Sequence, residues 1–184
     1  MTTQLYLSHQ VQTHFELNPF KLKKDTETIL AFDWRAMWRC ELLISTESND
    51  EHVFIFTNAV TRYSILLVER DHEIHNLLHA FHEQLIALFG DTLESQDFDQ
   101  WLMQLDLLSD SATSLDDQMR QIADLSITQL GAHDADISAA EHAVNNVRHD
   151  LTSPMQRTQS QLSHSRRSTI PRRKVRRRLP KKSL

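Results

Sequence analysis

Four histidines lie close together in the segment DHEIHNLLHAFHEQL, which spans residues 71–85. His72, His75, His79 and His82 are spaced by three, four and three residues, so on a helix they fall within an arc of about 80°. Two imidazoles one helical turn apart can share a zinc ion. This histidine stripe therefore offers His75 and His79 as candidate metal ligands.

The residues that would complete a known metal motif around the stripe are missing. A zinc peptidase helix carries H-E-x-x-H, whereas HEIH is one residue too short and HEQLI has no second histidine. A di-iron bundle needs paired E-x-x-H segments, and Glu69 to His72 supplies only one of them. The sequence therefore favours histidines that line the boundary between core and solvent, with adventitious metal capture or a pH-sensitive surface as alternatives.

Other catalytic groups are equally sparse, so the sequence predicts no catalytic residue and no cofactor. The only glycines are Gly90 and Gly131, which excludes a glycine-rich phosphate loop. Cys40 is the single cysteine and falls in an apolar stretch, where it is expected to be a small core residue. Because one cysteine allows no internal disulfide, and no secretory or membrane-spanning stretch is visible, we expect a soluble protein of a reducing cytoplasm.

The charge is divided unequally along the chain. Residues 1–150 hold all 25 acidic and 9 of the 20 basic residues, a net charge of −16, whereas residues 151–184 hold 11 basic residues and no acidic one. Such a tail is too polar to fold by burial, so we predict disorder from Thr152 onward. Its last part carries ten basic residues: Arg166, Arg167, Arg172, Arg173, Lys174, Arg176, Arg177, Arg178, Lys181 and Lys182.

The basic tail (residues 152–184) predicts non-specific contacts with DNA or RNA phosphates, since it has no aromatic residue on which bases could stack. The alternatives are docking on an acidic surface, either the protein's own body or a protein partner, attraction to an anionic membrane surface, and nuclear import.

The hydrophobic pattern predicts strands first and helices afterwards, which favours an α+β fold. The expected strands are Gln4–Leu7, Trp38–Ser45, His52–Thr57 and Arg62–Glu69, and the expected helices are residues 8–17, 71–89, 95–108, 113–130 and 136–151. Ser8 is a candidate N-cap and Gly90 a candidate helix end. We therefore predict one domain, residues 1–151, with a mainly antiparallel sheet of three or four strands covered by helices.

Residues 33–64 resemble a small bacterial family catalogued as domain of unknown function 6933. The resemblance lies in DWRAMW and HVFIFTNAVTRYSILL and extends over about residues 1–130; its matching positions are Trp34, Ala36, Phe56, Thr57, Asn58, Thr61, Tyr63 and Ser64. Met37 departs from the family pattern, as do Asp117, Arg120 and Gln121 in a later segment that keeps Ser114 and Met119. The resemblance implies a prokaryotic protein and a fold, but no activity.

The polar residues among these matching positions have two explanations. Asn58 and Thr61 suit a tight turn, in which their side chains bond to neighbouring backbone groups. Alternatively, Trp34, Asn58, Thr61 and Arg120 form a polar patch that binds a ligand.

Together these features predict a non-enzymatic binding or regulatory protein whose tail contacts nucleic acid. A protein-interaction module is the second hypothesis, and a metal-dependent enzyme that uses the histidine stripe is the third.

Overall fold

A computed structural model describes residues 3–18, 22, 34–46, 51–90, 97–109, 116–147 and 153–168. A short 3-10 turn at Trp34–Ala36 precedes the second strand. The strands and helices are β1 (Thr3–Leu7), α1 (His9–His14), β2 (Met37–Thr46), β3 (Glu51–Asn58), β4 (Ser64–Glu69), α2 (Ile74–Phe89), α3 (Phe98–Met103), β5 (Leu105–Ser109), α4 (Asp116–Ala132), α5 (Ile137–Asn146) and α6 (Pro154–Ser168).

The five strands form one mixed sheet in the order β4-β3-β2-β1-β5. The segment β2-β3-β4 is an antiparallel meander, as predicted, whereas β1 runs parallel to both of its neighbours, β2 and β5. The α+β class is confirmed. The sheet has five strands instead of the predicted three or four. The prediction of mainly antiparallel pairing does not hold for β1, which pairs in parallel on both sides.

Successive residues of the central strands face opposite sides of the sheet, and helices cover both sides. Phe54 and Phe56 pack in a core with Phe81 of α2 and Trp101 of α3. Ile55, between the two phenylalanines, instead joins a second core formed with α4 and α5. This two-residue alternation is the pattern expected of a strand buried on both faces.

Two predicted elements are confirmed together with their caps. Helix α1 begins after Ser8, whose hydroxyl accepts a hydrogen bond from the Val11 N–H. Helix α2 ends at Gly90, which has φ +56°, a left-handed conformation that costs glycine no steric penalty. Cys40 is also in the core as predicted, and burial raises the pKa of its thiol.

The prediction of one helix over residues 95–108 is wrong for its second half. Helix α3 ends at Met103, and Leu105–Ser109 form β5, which pairs with β1 along its whole length. The short run Leu-Asp-Leu-Leu is compatible with a helix or with a strand. It forms a strand here because its backbone can pair with the edge of β1.

The prediction of disorder from Thr152 is wrong for residues 154–168, which form α6. Ser153 and Gln156 bond reciprocally at its start: the Gln156 N–H donates to Ser153 Oγ, and the Ser153 N–H donates to Gln156 Oε1. This is a capping box, with Pro154 in the favoured first position. Thr158 is buried and Leu162 packs against the first core, which anchors the helix. Residues 169–184 lie outside the described residues.

Among the described residues, no helix combines the length and the apolar character that crossing a membrane requires.

Candidate metal centre

Four potential metal ligands meet at one corner of the sheet. They are His14, the last residue of α1, His52 of β3, Glu69, the last residue of β4, and His72, in the turn before α2. Each residue offers one potential ligand atom, and these four atoms all lie within 4.8 Å of one another. In the part of the chain that the structure describes, this histidine–glutamate cluster is the one group of three or more His, Cys, Asp or Glu residues that could hold a metal.

Secondary structure accounts for this convergence. His52 and Glu69 are direct partners in the antiparallel β3–β4 pair, so their side chains lie side by side on one face of the sheet. His14 reaches the same face because α1 packs there through Val11, which is fully buried. Its ring contacts that of Phe54, which lies two residues after His52 on the same face.

The Glu69 carboxylate is held in place by the turn that follows it. Its Oε1 atom accepts hydrogen bonds from the backbone N–H groups of Asp71 and Glu73. His72 lies between these two residues and adopts φ +52°, which turns the chain around the carboxylate. The other oxygen, Oε2, is 3.3 Å from His14 Nε2 and faces the histidines. One carboxylate oxygen is therefore committed to the backbone, and the second faces the cluster.

The three imidazole rings contact one another. The ring centroids are 4.3 Å apart for His14 and His52, 4.7 Å for His52 and His72, and 4.8 Å for His14 and His72. The first two pairs are steeply inclined, at 63° and 62°, whereas His14 and His72 stack with 30° between their planes. Phe15 and Phe54 border His14 and make this side of the cluster apolar.

Burial varies across the cluster. His52 and Glu69 are 5% and 4% exposed, His14 is half-buried, and His72 is exposed. The cluster therefore has a buried side and a side that is open to solvent at His72. A cleft of about 540 Å³ between α1 and β2 also reaches His14; its other lining residues are His9, Gln10, Thr13, Leu42 and Leu43.

The histidine stripe is divided by the structure. His72 precedes α2 and belongs to the cluster, whereas His75, His79 and His82 pack around the ring of Phe98, at centroid distances of 5.0, 4.8 and 5.7 Å. His75 and His79, the predicted candidate ligands, are exposed on the helix. His82 is buried, and this burial, followed by the charge of His79, lowers its pKa.

The structure places Asn58 and Thr61 of the predicted polar patch together in one turn. Asn58 Oδ1 accepts hydrogen bonds from the N–H groups of Val60 and Thr61 and from Thr61 Oγ1, at 3.0, 2.9 and 3.2 Å. Turn chemistry thus accounts for Asn58 and Thr61, both of which are buried. Arg120 instead lines a separate cleft of about 410 Å³ beside β2 and α1. Trp34 belongs to the 3-10 turn before β2.

The predicted nucleic-acid-binding residues lie mostly outside the described residues. Arg166 and Arg167 belong to the last turn of α6. The other eight, from Arg172 to Lys182, follow the last described residue.

Sequence reasoning missed His14 and His52 as candidate ligands. The pair Glu69 and His72 was visible as a single E-x-x-H segment, but its partners are 55 and 17 residues before Glu69 in the chain. No local spacing indicates such partners, because the fold of α1 and the β3–β4 register bring them together.

No family model matches the chain, and neither the curated proteins nor the solved structures include a significant match to it. The resemblance of residues 1–130 to the domain of unknown function 6933 family therefore stays a prediction.

Proposed function

We propose that this protein binds one transition-metal ion, with Zn²⁺ as the best match, through His14, His52 and Glu69. The observation that supports the proposal is the grouping of three imidazoles and one carboxylate at one corner of the sheet, with ligand atoms no more than 4.8 Å apart. Imidazole nitrogen and carboxylate oxygen are ligands of Zn²⁺, and two histidines with one glutamate are a known zinc set.

The distances are compatible with a metal ion after small side-chain rotations. Zinc–ligand bonds of about 2.0–2.1 Å in a tetrahedron separate neighbouring ligand atoms by about 3.4 Å. His14 Nε2 and Glu69 Oε2 are already 3.3 Å apart. Glu69 also has the support that metal-binding carboxylates usually require, because two backbone N–H groups fix its other oxygen.

The charge of the site supports a cation as well. A buried carboxylate is favourable only with hydrogen bonds or a compensating positive charge. A divalent ion would neutralise Glu69 and accept lone pairs from both histidines. Oxygen-preferring ions such as Mg²⁺ and Ca²⁺ are poorly matched to a site rich in imidazoles.

The test is the metal content and the Zn²⁺ affinity of the purified full-length protein. We expect one Zn²⁺ per chain, and we expect His14→Asn and His52→Asn to weaken binding by more than the roughly 10- to 100-fold that loss of a supporting hydrogen bond causes. The matched control is His75→Asn with His79→Asn, which removes two exposed histidines outside the cluster. Loss of binding in this control, and not in the cluster variants, would move the site to the histidine stripe and contradict the proposal.

We also propose, as a second candidate function, that the basic tail contacts DNA or RNA without sequence specificity. Eleven basic and no acidic residues in 151–184 support it, because cationic side chains displace counterions from phosphates. The proposed setting is the cytoplasm of a bacterium. Docking of the tail on an acidic protein partner, or on the protein's own body, is the alternative.

Fluorescence anisotropy of labelled duplex DNA and single-stranded RNA tests the tail. The comparison is between the full-length protein and residues 1–168, because this truncation keeps α6 and removes eight of the basic residues. We expect log affinity to fall against log salt with a slope of up to about −0.9 per neutralised phosphate, and the truncation to flatten this slope. Equal binding by both proteins would exclude residues 169–184 as a nucleic-acid contact, and no binding by either protein at low salt would exclude the whole tail.

A further inference from the structure

We propose that this protein has a second ligand site, a cleft between α2 and α5 that binds a small primary alkylammonium ion. The oxygen atoms of Glu141, Tyr63 and Gln84 accept the hydrogen bonds of the ammonium group. None of these residues belongs to the candidate metal centre, so the inference does not depend on the proposed metal binding.

The cleft lies at the β4 edge of the sheet. Helix α2 packs on one face of the sheet through Phe81, and α5 packs on the other face through Val144. At β4, the edge strand, side chains from both helices line one cleft with a volume of about 160 Å³. Its lining consists of three oxygen-bearing and three apolar side chains: Tyr63, Gln84 and Glu141, and Ile65, Ala87 and Leu88.

The Glu141 carboxylate is fixed at one oxygen and available at the other. Its Oε2 atom accepts a hydrogen bond from the Leu66 N–H at 2.8 Å, whereas Oε1 accepts none from the residues that the structure describes. The side chain is half-buried, and this burial raises the pKa of the carboxyl because the anion loses hydration. A cation in the cleft would compensate the charge of the carboxylate at Oε1.

The Tyr63 phenol lies near this carboxylate. Burial raises the pKa of the phenol, and the charge of Glu141 adds to the rise, so the hydroxyl is protonated at neutral pH. The backbone of Tyr63 is committed to the preceding turn, where its carbonyl accepts a hydrogen bond from the Asn58 N–H at 2.8 Å. Within the described ranges of the chain, the half-buried hydroxyl has no hydrogen-bond partner. The phenol is therefore available to a ligand in the cleft.

Charge and the number of hydrogen-bond acceptors define the ligand. Among the described lining residues Glu141 is the one charged side chain, so the cleft favours a cation over an anion. The net charge of −16 on residues 1–150 acts in the same direction. A primary ammonium group has three N–H donors. They match the three oxygen-bearing side chains of the cleft, Glu141, Tyr63 and Gln84.

The apolar lining determines the rest of the ligand. Ile65 is buried and Leu88 is half-buried, so the two side chains offer an apolar surface to a short alkyl chain. A cleft of about 160 Å³ is smaller than the pockets of about 300–1,000 Å³ that hold drug-sized molecules. Butylammonium, which combines one primary ammonium group with a short alkyl chain, is therefore a suitable probe.

The experiment is a titration of isotope-labelled full-length protein with butylammonium at neutral pH, followed by the amide chemical shifts in NMR spectra. Excess chelator is present so that the amine cannot act as a metal ligand. We expect saturable shifts at about millimolar concentrations, because a ligand of few atoms binds weakly. The Leu66 amide should respond most, since its N–H donates to Glu141. Butanol, which is uncharged, and tetramethylammonium, which has no N–H donor, should bind about tenfold or more weakly.

Two conservative variants locate the ammonium group. Glu141→Gln keeps an oxygen that can accept the Leu66 N–H but removes the charge, and it should weaken butylammonium binding about tenfold or more. Tyr63→Phe removes only the hydroxyl and should weaken binding about two- to tenfold. The control Glu83→Gln removes an exposed carboxylate from α2 beside Gln84, outside the lining of the cleft, and should bind as the parent protein does. The dispersion of the amide shifts shows in the same spectra that each variant is folded.

Three results would overturn the inference. If butanol shifts the same amides with the same affinity, the cleft is an apolar pocket and the ammonium assignment is wrong. If Glu83→Gln weakens binding as much as Glu141→Gln, the acidic surface attracts the cation in general and the cleft is not a site. If no shift saturates around Leu66, the cleft does not bind the ion, whatever the metal content of the protein.

Discussion

Replacing Asn145 with alanine is expected to lower the free energy of unfolding by about 2–5 kcal/mol, because two buried backbone groups lose their partners. Asn145 is fully buried in α5, and its amide bonds both backbone groups of Ser64: Oδ1 accepts from the N–H at 2.8 Å, and Nδ2 donates to the carbonyl at 2.7 Å. The measurement is urea denaturation, followed by circular dichroism.

The adjacent residue provides the control for this prediction. Asn146 is exposed, and its side chain bonds to the carbonyl of His142 one turn earlier in the same helix, at 2.8 Å. Asn146→Ala should change the free energy of unfolding by no more than about 0.5 kcal/mol. Equal losses in the two variants would mean that the Ser64 bonds contribute nothing beyond helix propensity.

These bonds matter for the candidate site because they close the exposed edge of the sheet. Strand β4 is an edge strand, and an open edge invites pairing with another chain. Glu141, one turn before Asn145, accepts a hydrogen bond from the Leu66 N–H at 2.8 Å; burial raises the pKa of this carboxyl, although the hydrogen bond opposes the rise. Helix α5 thus fixes β4, which ends in Glu69.

Local patterns predicted the elements whose partners are close in the sequence. Helix α2 has an apolar face and a terminal glycine, and only a few residues separate β2, β3 and β4 in the sequence, so each could be recognised from its own residues. Strand β5 could not, because its partner is β1, about 100 residues earlier. Helix α6 did carry a local signal, the capping box at Ser153 and Gln156, but the polarity of the following residues concealed it.

The candidate site was predictable only in part, for the same reason. The sequence grouped His72 with His75, His79 and His82 on the assumption that one helix carries all four. Helix α2 instead begins at Ile74, so His72 lies in a turn whose direction is set by the Glu69 carboxylate. The position of His14 depends on the packing of α1, and that of His52 on the register between β3 and β4. Neither position can be predicted from the spacing of residues in the sequence.

Saturation with Zn²⁺ is expected to stabilise the protein by about 2.7 kcal/mol when the free ion concentration is 100 times the dissociation constant. The gain arises because His14, His52 and Glu69 belong to three different elements and come together only in the folded chain. The measurement is the urea midpoint in buffered Zn²⁺ compared with that in excess chelator. Excess chelator should therefore remove the whole Zn²⁺-dependent gain in the free energy of unfolding.

The variant Glu69→Gln separates metal binding from folding in this measurement. Its amide oxygen can still accept the N–H groups of Asp71 and Glu73, so the turn is kept while the anionic ligand is lost. We expect the Zn²⁺-dependent increment to disappear in Glu69→Gln and to persist in Glu73→Gln, which removes an exposed carboxylate from the same turn. If the increment survives in Glu69→Gln, the stabilising ion is bound elsewhere, because a site that includes Glu69 cannot lose its only anionic ligand without losing affinity.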